Sequence, residues 1–495
     1  MDIAWWAYLA VVAALSVYAL HRLHLVFAAW RTRRPAAGQG APLAAELPIV
    51  TVQLPIYNER FVAERLIDAV AALDWPRDRL EVQVLDDSTD DTVALCRARI
   101  ESWRGDGLAI EHVRRAERAG FNAGALQHGL ARARGQLLLV LDADFVPPPD
   151  LLRRMAAHLN DDGVAMVQAR WEHLNGRSSA LTSLQALLLD GHFGVEQAAR
   201  SRTGRFFNFN GTAGLWRRTA IDDAGGWHGD TLTEDLDLSY RVLLRGWRFA
   251  YLLDQAVPGE LPADINGFKS QQFRWAKGSM QVARKLLPAV LRSRRSAAVK
   301  LEAFFHLTHN LPYLLTAGLA LLAVPALAWR DEPAPGPIWI EVALAAGAAA
   351  VTAAYLIAAQ SAVRGSRLGL RAGIAVIARV PAVIALTAGI SLSQSRAVLE
   401  GLVGRPSEFV RTPKQGLVGT ERGAAAPGSG YTAPAGRLPP VELLVAAYLF
   451  AGLVHALAAQ RFMAAPILAL FAIGFASVGA ASLRANRLSG KKSGR

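Results

Sequence analysis

A single cysteine, Cys96, in 495 residues means that no intrachain disulfide staples this chain. The stretch around Cys96 reads as ordinary helix, where a free thiol behaves as a small core group. Acids are scarce too, 41 against 54 lysines and arginines, leaving a formal net charge of +13. That surplus alone could suggest a nucleic-acid binder, but its distribution argues against one. The bases are dispersed over loops beside apolar runs and over the polar middle, and no recognisable reader motif collects them. A membrane span is expected at the start, with a secretory signal the rival reading. The first apolar run, Ile3 to Trp30, is too long, follows Asp2 in place of a basic stretch, and leads into Arg31, Arg33 and Arg34 without a small-residue cleavage site.

What the chain has in excess is apolar sequence, 52% of residues, concentrated at its two ends. Residues 1–30 form an expected transmembrane helix, long enough for roughly 30 Å of hydrocarbon. Further runs lie at about 304–329, 338–360, 371–393, 441–459 and 462–483. The lipid bilayer is therefore the expected large partner. Arg31, Arg33 and Arg34 place the end of the first span, and with it the polar middle, in the cytoplasm. Two transmembrane helices within 304–360 lead out to DEPAPGP at 331–337, which has acids and no bases, and back to Arg364, Arg367 and Arg371.

The segment 371–399 carries Arg379 and Pro381 at the centre of its apolar run. An arginine at the bilayer midplane is costly. A crossing there would also place Arg396, Arg405, Arg411, Lys414, Arg422 and Arg437 outside, against the positive-inside rule. We therefore expect an interfacial or re-entrant element at 371–399, a cytoplasmic loop at 400–438 and two transmembrane helices in 441–483, five crossings in place of six. The stretch 279–300 interleaves Val282, Leu286, Leu287, Val290 and Leu291 with Arg284, Lys285, Arg292, Arg294 and Arg295, as an amphipathic helix lying in the membrane plane would.

The middle, 48–278, alternates strand-like and helix-like stretches: PIVTVQLPIY, EVQVLDD, AIEHVRR and QLLLVLDAD, each followed by a helical pattern. Such alternation predicts an α/β domain with a mostly parallel sheet, whose ligands bind beyond the carboxyl ends of the strands. Asp86 and Asp87 end one strand and Asp142 and Asp144 another. Read as an extended tripeptide, Asp142 and Asp144 point the same way and suit a hard divalent cation, Mg or Mn, that also holds diphosphate oxygens. An acidic turn after a strand, or caps for the helix near Thr92, would account for each pair taken alone. Thr233, Glu234 and Asp235 read as a helix start, capped by Thr233, where a carboxylate can also act as general base. In QQFRWAKGS, Gln271 and Arg274 share a helix face with Trp275 beside them, offering a phosphate partner and a flat surface for a sugar ring; taken alone, the string also reads as a membrane-interface Trp and Arg pair.

Taken in order, LDDSTDDT, LDADF, FNGTAGLWRR, TEDLD and QQFRW resemble the family 2 glycosyltransferases that are inverting, membrane-embedded and often processive. FNFNGTAGLWRRTAIDDAGGW, the TED string and QQFRWAKGS look closest to bacterial relatives of the cellulose synthase-like A glucomannan and mannan synthases. The resemblance covers roughly 48–420. It implies a GT-A-type, nucleotide-sugar-binding cytoplasmic domain inserted among transmembrane α-helices in a bacterial inner membrane. It further implies that Asp87, with Asp86 beside it, contacts the nucleotide of a UDP- or GDP-hexose and that Asp142 and Asp144 serve the metal and diphosphate. By the same resemblance Asp235 would be the base, and Gln271, Arg274 and Trp275 would hold diphosphate and acceptor; we assign Glu234, at the helix start, to capping and positioning Asp235. SEFVRTPKQG at 407–416 resembles the family's cytoplasmic gating loop. The spans would then conduct the growing glycan, with accessory export or periplasmic proteins as candidate partners. Asn122, in RAGFNAGAL, departs from the pattern: related sequences commonly have lysine there, near the donor diphosphate, and Arg118 is the nearby substitute charge. A single-transfer enzyme acting on a membrane lipid is the alternative. A non-enzymatic transporter or scaffold is disfavoured by the intact carboxylates.

The charge distribution makes one direct prediction. In a chain with Cys96 replaced, a cysteine introduced at Ser407 should resist an impermeant maleimide in intact cells and react after permeabilisation; labelling in intact cells would overturn the five-crossing reading.

Overall fold

The computed structural model describes residues 3–33, 43, 46–328, 339–407, 410–418 and 436–490. Arg34, the acidic loop 331–337, Glu408 and Phe409 of the gating-like segment, Arg422 and the last five residues of the basic tail fall outside that description.

The polar middle folds around seven strands: β1 Val50–Ile56, β2 Leu80–Asp86, β3 Ala109–Val113, β4 Leu137–Val140, β5 Val164–His173, β6 Gly214–Arg217 and β7 Arg248–Gly259. They lie in the order β3-β2-β1-β4-β6-β5-β7. Only β6 runs antiparallel to its neighbours. The first four strands fall where the alternating pattern places them. β1, β2 and β4 are buried on both faces, as a sheet covered by helices on both sides requires, and β3 at the edge is partly exposed. Because β1, β2, β4, β5 and β7 point the same way, Tyr57, Asp87, Asp142, His173 and Glu260 all emerge at one edge of the sheet.

Six helices among the described residues are long and apolar enough to cross a membrane: Ile3–Arg31, Leu311–Ala328, Ala346–Val363, Leu370–Val403, Pro439–Ala458 and Ala465–Asn486. The chain is thus a multi-pass membrane protein by the length and composition of its helices. The expected second span at 304 starts later. Asn310 and Pro312 break the helix, so Ala297–Thr308 is a separate element whose Glu302 and His306 are buried against the α/β domain through Arg200 and Tyr240.

The amphipathic segment 279–300 also differs from its expectation. Its first part continues the helix that carries Gln271, Arg274 and Trp275, and the whole runs unbroken over Ile265–Arg292. Val282, Leu286 and Val290 are buried against Phe206, Leu236, Tyr240 and Leu243, so most of the apolar face covers protein, and Leu291 is the one left half-exposed. Asp264 caps this helix by accepting from the backbone N–H groups of Asn266 and Gly267 at 2.9 Å.

This helix is also the bridge to the membrane bundle. Lys269 pairs with Glu442 at 2.5 Å and Lys277 with Glu400 at 2.8 Å, both largely buried. Within 370–403 the chain breaks at Arg379 into Leu370–Ile377 and Val380–Val403, with Pro381 in the first turn of the second helix, where a missing N–H costs nothing. The second helix runs alongside Ile265–Arg292. Gln394 donates to the Lys269 carbonyl at 3.4 Å, and a Cβ at Gly401 would stand 2.6 Å from the Lys277 carbonyl.

Candidate active site

A crevice opens at the common strand edge, and nine of the ten expected site residues line it: Asp87, Asn122, Asp142, Asp144, Glu234, Asp235, Gln271, Arg274 and Trp275. The exception is Asp86. Its carboxylate accepts from His112 at 2.8 Å and from the Ser88 N–H at 2.8 Å, fixing the turn after β2, so it braces the site from behind. Burial pushes the Asp86 carboxyl up, but the His112 and Ser88 hydrogen bonds outweigh it and hold the group below its ordinary value. Asp87 faces the crevice, gripped by Arg115 at 3.0 Å. Beside it Arg118 stacks on Tyr57, 3.5 Å from the ring centroid, leaving a cationic and aromatic wall at this end.

Asp142 and Asp144 do not form an extended tripeptide. The Phe145 N–H returns to the Asp142 carbonyl at 3.1 Å, closing a turn that still sends both side chains into the crevice. Thr212, missed in the sequence, accepts from the Asp142 N–H at 2.9 Å and so ties the FNGT string to this turn. No donor among the described residues satisfies the Asp142 carboxylate, and burial, then the neighbouring Asp144, push its pKa up to about 7. An unsatisfied carboxyl in that state, two residues from a second one, fits a divalent cation.

Asp144 holds a cation already. Lys414 of the gating-like segment reaches it at 2.7 Å and donates to the Glu260 carbonyl at 3.0 Å. Glu260 accepts from the N–H groups of Gln415 and Gly416, both at 2.8 Å, while Arg411 pairs with Glu59 at 2.9 Å. Residues 411–416 therefore lie across the crevice. Glu59 and Glu260 were not singled out from sequence; the available signal was their place just past the ends of β1 and β7.

Helix Glu234–Arg245 starts where the TED string predicts, but Thr233 makes no side-chain cap, and its buried hydroxyl has no hydrogen-bond partner among the described residues. Asp235 supplies the bond instead, accepting from the Leu236 N–H at 2.8 Å. Asn122 donates to Glu234 at 2.7 Å, so the departure from lysine lands on the acid beside the expected base. Two glycines make room here. Gly211, at φ +82°, lies where a Cβ would come 3.4 Å from Asp235 Oδ2, and Gly278 lets the Gln-Arg-Trp helix press on Thr233, where a Cβ would be 2.5 Å from Thr233 Cγ2. Burial, then Glu234, push Asp235 up to about 8, and burial also raises Glu234. Arg274 faces Glu234, Asp142, Asp235 and Asp144 together. Trp275 stands 6.4 Å from Trp171, which meets Phe145 at 5.1 Å, an aromatic wall at the far end from Arg118.

Comparison with known proteins agrees with this geometry. A family model described as glycosyltransferase-like family 2 matches residues 48–278. Those residues are a glycosyltransferase family 2 domain. Glucomannan 4-beta-mannosyltransferase 2 of Arabidopsis thaliana is 44% identical over 257 residues, 51% of this chain and 48% of that protein. Glucomannan 4-beta-mannosyltransferase 1 of Oryza sativa subsp. japonica is 40% identical over 294 residues, 58% of this chain and 56% of that protein. The matched part thus spans about half the length of these curated relatives. Among solved structures, the mannosyltransferase PcManGT from Pyrobaculum calidifontis, in complex with GDP-Man and Mn2+, superimposes with a TM-score of 0.55 at 25% identity, covering 72% of this chain and 98% of that one. The GT-A-type fold expected for the glycosyltransferase domain is the fold observed.

The raised carboxyls fix the sign of a pH effect. Asp142 and Asp235 keep protons in the folded state that they lose near pH 4 when unfolded, so stability falls as pH rises between about pH 4 and about pH 8. In EDTA, the thermal midpoint of the detergent-solubilised protein should drop across that window, and Asp235→Asn should flatten the drop; a midpoint that rises with pH would contradict the assignment.

Proposed function

We propose that this chain transfers a hexose, with inversion, from a nucleoside diphosphate sugar to a growing β-linked glycan at the membrane. The observation that carries the reading is the meeting, in one crevice, of a half-buried carboxyl with a raised pKa (Asp235), a guanidinium (Arg274), a carboxylate turn (Asp142, Asp144) and an aromatic wall (Trp171, Trp275). Asp235 takes the proton of the acceptor hydroxyl as its oxygen attacks the anomeric carbon, and the bond from that carbon to the diphosphate breaks. Arg274 faces the charge left on the leaving group. Asp142 and Asp144 would hold a divalent cation, Mg or Mn, which when bound neutralises diphosphate charge. Gln271 and Asp87 line the same space and complete the donor contacts.

The relatives that are named glucomannan 4-beta-mannosyltransferases, and the solved mannosyltransferase with GDP-Man and Mn2+, make GDP-mannose the donor to test first. Membrane helices packed on the catalytic helix favour a glycan handed into the bilayer over a product released beside it. The loop over the crevice and the path of Val380–Val403 along the catalytic helix support five crossings, with the catalytic domain and the 400–438 loop on the cytoplasmic face of a bacterial inner membrane.

Membranes bearing the chain should convert radiolabelled GDP-mannose into solvent-insoluble, endomannanase-sensitive polymer. Asp235→Asn should bind donor nearly as well and lose transfer at least about a hundredfold, with Glu234→Gln reduced less. Label that extracts into organic solvent would place the transfer on a lipid acceptor instead, and near wild-type turnover by Asp235→Asn would remove the base assignment.

A further inference from the structure

The last residue of β5, His173, was not picked out by any motif, yet it lines the crevice on the same strand face as Trp171. Its Nε2 lies 3.0 Å from one oxygen of Asp190, in the last turn of helix Ala180–Gly191. The other Asp190 oxygen accepts from Gln360 at 2.5 Å. Gln360 belongs to the apolar helix Trp339–Val363. All three side chains are mostly buried. Asp190 therefore sets the imidazole: Nε2 carries the proton and donates to the carboxylate, which leaves Nδ1 as a lone-pair acceptor. Among the described residues nothing hydrogen-bonds that Nδ1. Nearby, the Trp171 Nε1–H is buried and likewise has no partner among them. One free acceptor and one free donor thus stand beside the aromatic wall formed with Trp275.

We propose that His173 is an acceptor-binding residue: its Nδ1 receives a hydroxyl of the acceptor sugar while Trp171 donates to a ring or glycosidic oxygen, and Asp190 and Gln360 act as positioning residues. The two ends of the crevice argue for this side. Arg115, Arg118, Tyr57 and Asp87 crowd the end at β1 and β2, where a charged nucleotide belongs. His173 lies at the other end, linked through Asp190 by two hydrogen bonds to a membrane helix. A neutral, polyhydroxylated ring is the ligand that an aromatic face with one donor and one acceptor recognises. The chain from imidazole to Gln360 also registers the acceptor against the helix bundle that would receive the product.

The inference rests on the transferase reading, so the experiment separates the two. Purified full chain in detergent would be given GDP-mannose and, as acceptor, β-1,4-linked mannotetraose; if the wild type leaves that acceptor unused, the reading of a β-linked mannan fails and the comparison moves to whichever acceptor, lipid or water, consumes the donor. Against the acceptor in use, His173→Phe should raise KM about five- to tenfold, the loss of roughly one hydrogen bond, with donor affinity unchanged. His173→Asn, whose amide can reach the Nδ1 position, should recover most of that loss, and Gln360→Ala should fall between. Parallel losses of donor affinity, an unchanged acceptor KM in His173→Phe, or an Asn variant no better than Phe would each overturn the proposal. Water as the acceptor in use, with no KM difference, would do so as well.

Discussion

Arg274 is the interaction on which the site depends. Four carboxyls, Asp142, Asp144, Glu234 and Asp235, come together in the crevice, and this half-buried guanidinium faces all of them. Burial lowers its pKa, but from an ordinary value so high that the charge persists. One guanidinium cannot neutralise four acids. Lys414 accounts for Asp144, while burial pushes the Asp142, Glu234 and Asp235 carboxyls up. Asp142 and Asp144 would hold a divalent cation, whose charge would favour their ionised forms.

The same helix that carries Arg274 couples the crevice to the bilayer. Within Ile265–Arg292, Trp275 and Arg274 face the site, Lys269 and Lys277 are ion-paired to the membrane bundle, and Val282, Leu286 and Val290 are buried in the core beneath the TED helix. Trp275 and Arg274 are thus carried on the same helix that is ion-paired to the spans. Residues 411–416 close the crevice from the opposite side through Glu59, Glu260 and Asp144. A divalent cation held by Asp144 would compete with Lys414 for one carboxylate.

Much of this was legible in the sequence because strand ends announce themselves. Apolar runs closing on LDD and LDAD, followed by helical patterns, locate the crevice edge without any long-range information. The errors arose where tertiary contacts decide. Asp86 and Asp87 are indistinguishable as letters, and only the approach of His112 from the neighbouring strand turns Asp86 away. Thr233 fits a helix cap by composition, but the pressure of Gly278 leaves its hydroxyl uncapped and Asp235 supplies the bond. The apolar stripe of 279–292 has the period of a membrane-surface helix, and period cannot say whether lipid or Tyr240 will cover it. His173 carried no local signal, since its partners Asp190 and Gln360 lie 17 and 187 residues further along.

The account turns on the surplus of acid being resolved by a divalent cation together with the donor. Calorimetric titration of the detergent-solubilised chain with GDP-mannose, with Mn2+ or with EDTA, tests this most directly. Donor binding should strengthen at least about tenfold with Mn2+ in the wild type, and that gain should vanish in Asp142→Asn and in Asp144→Asn. A donor affinity that is the same with and without metal, in the wild type and in both variants, would contradict it.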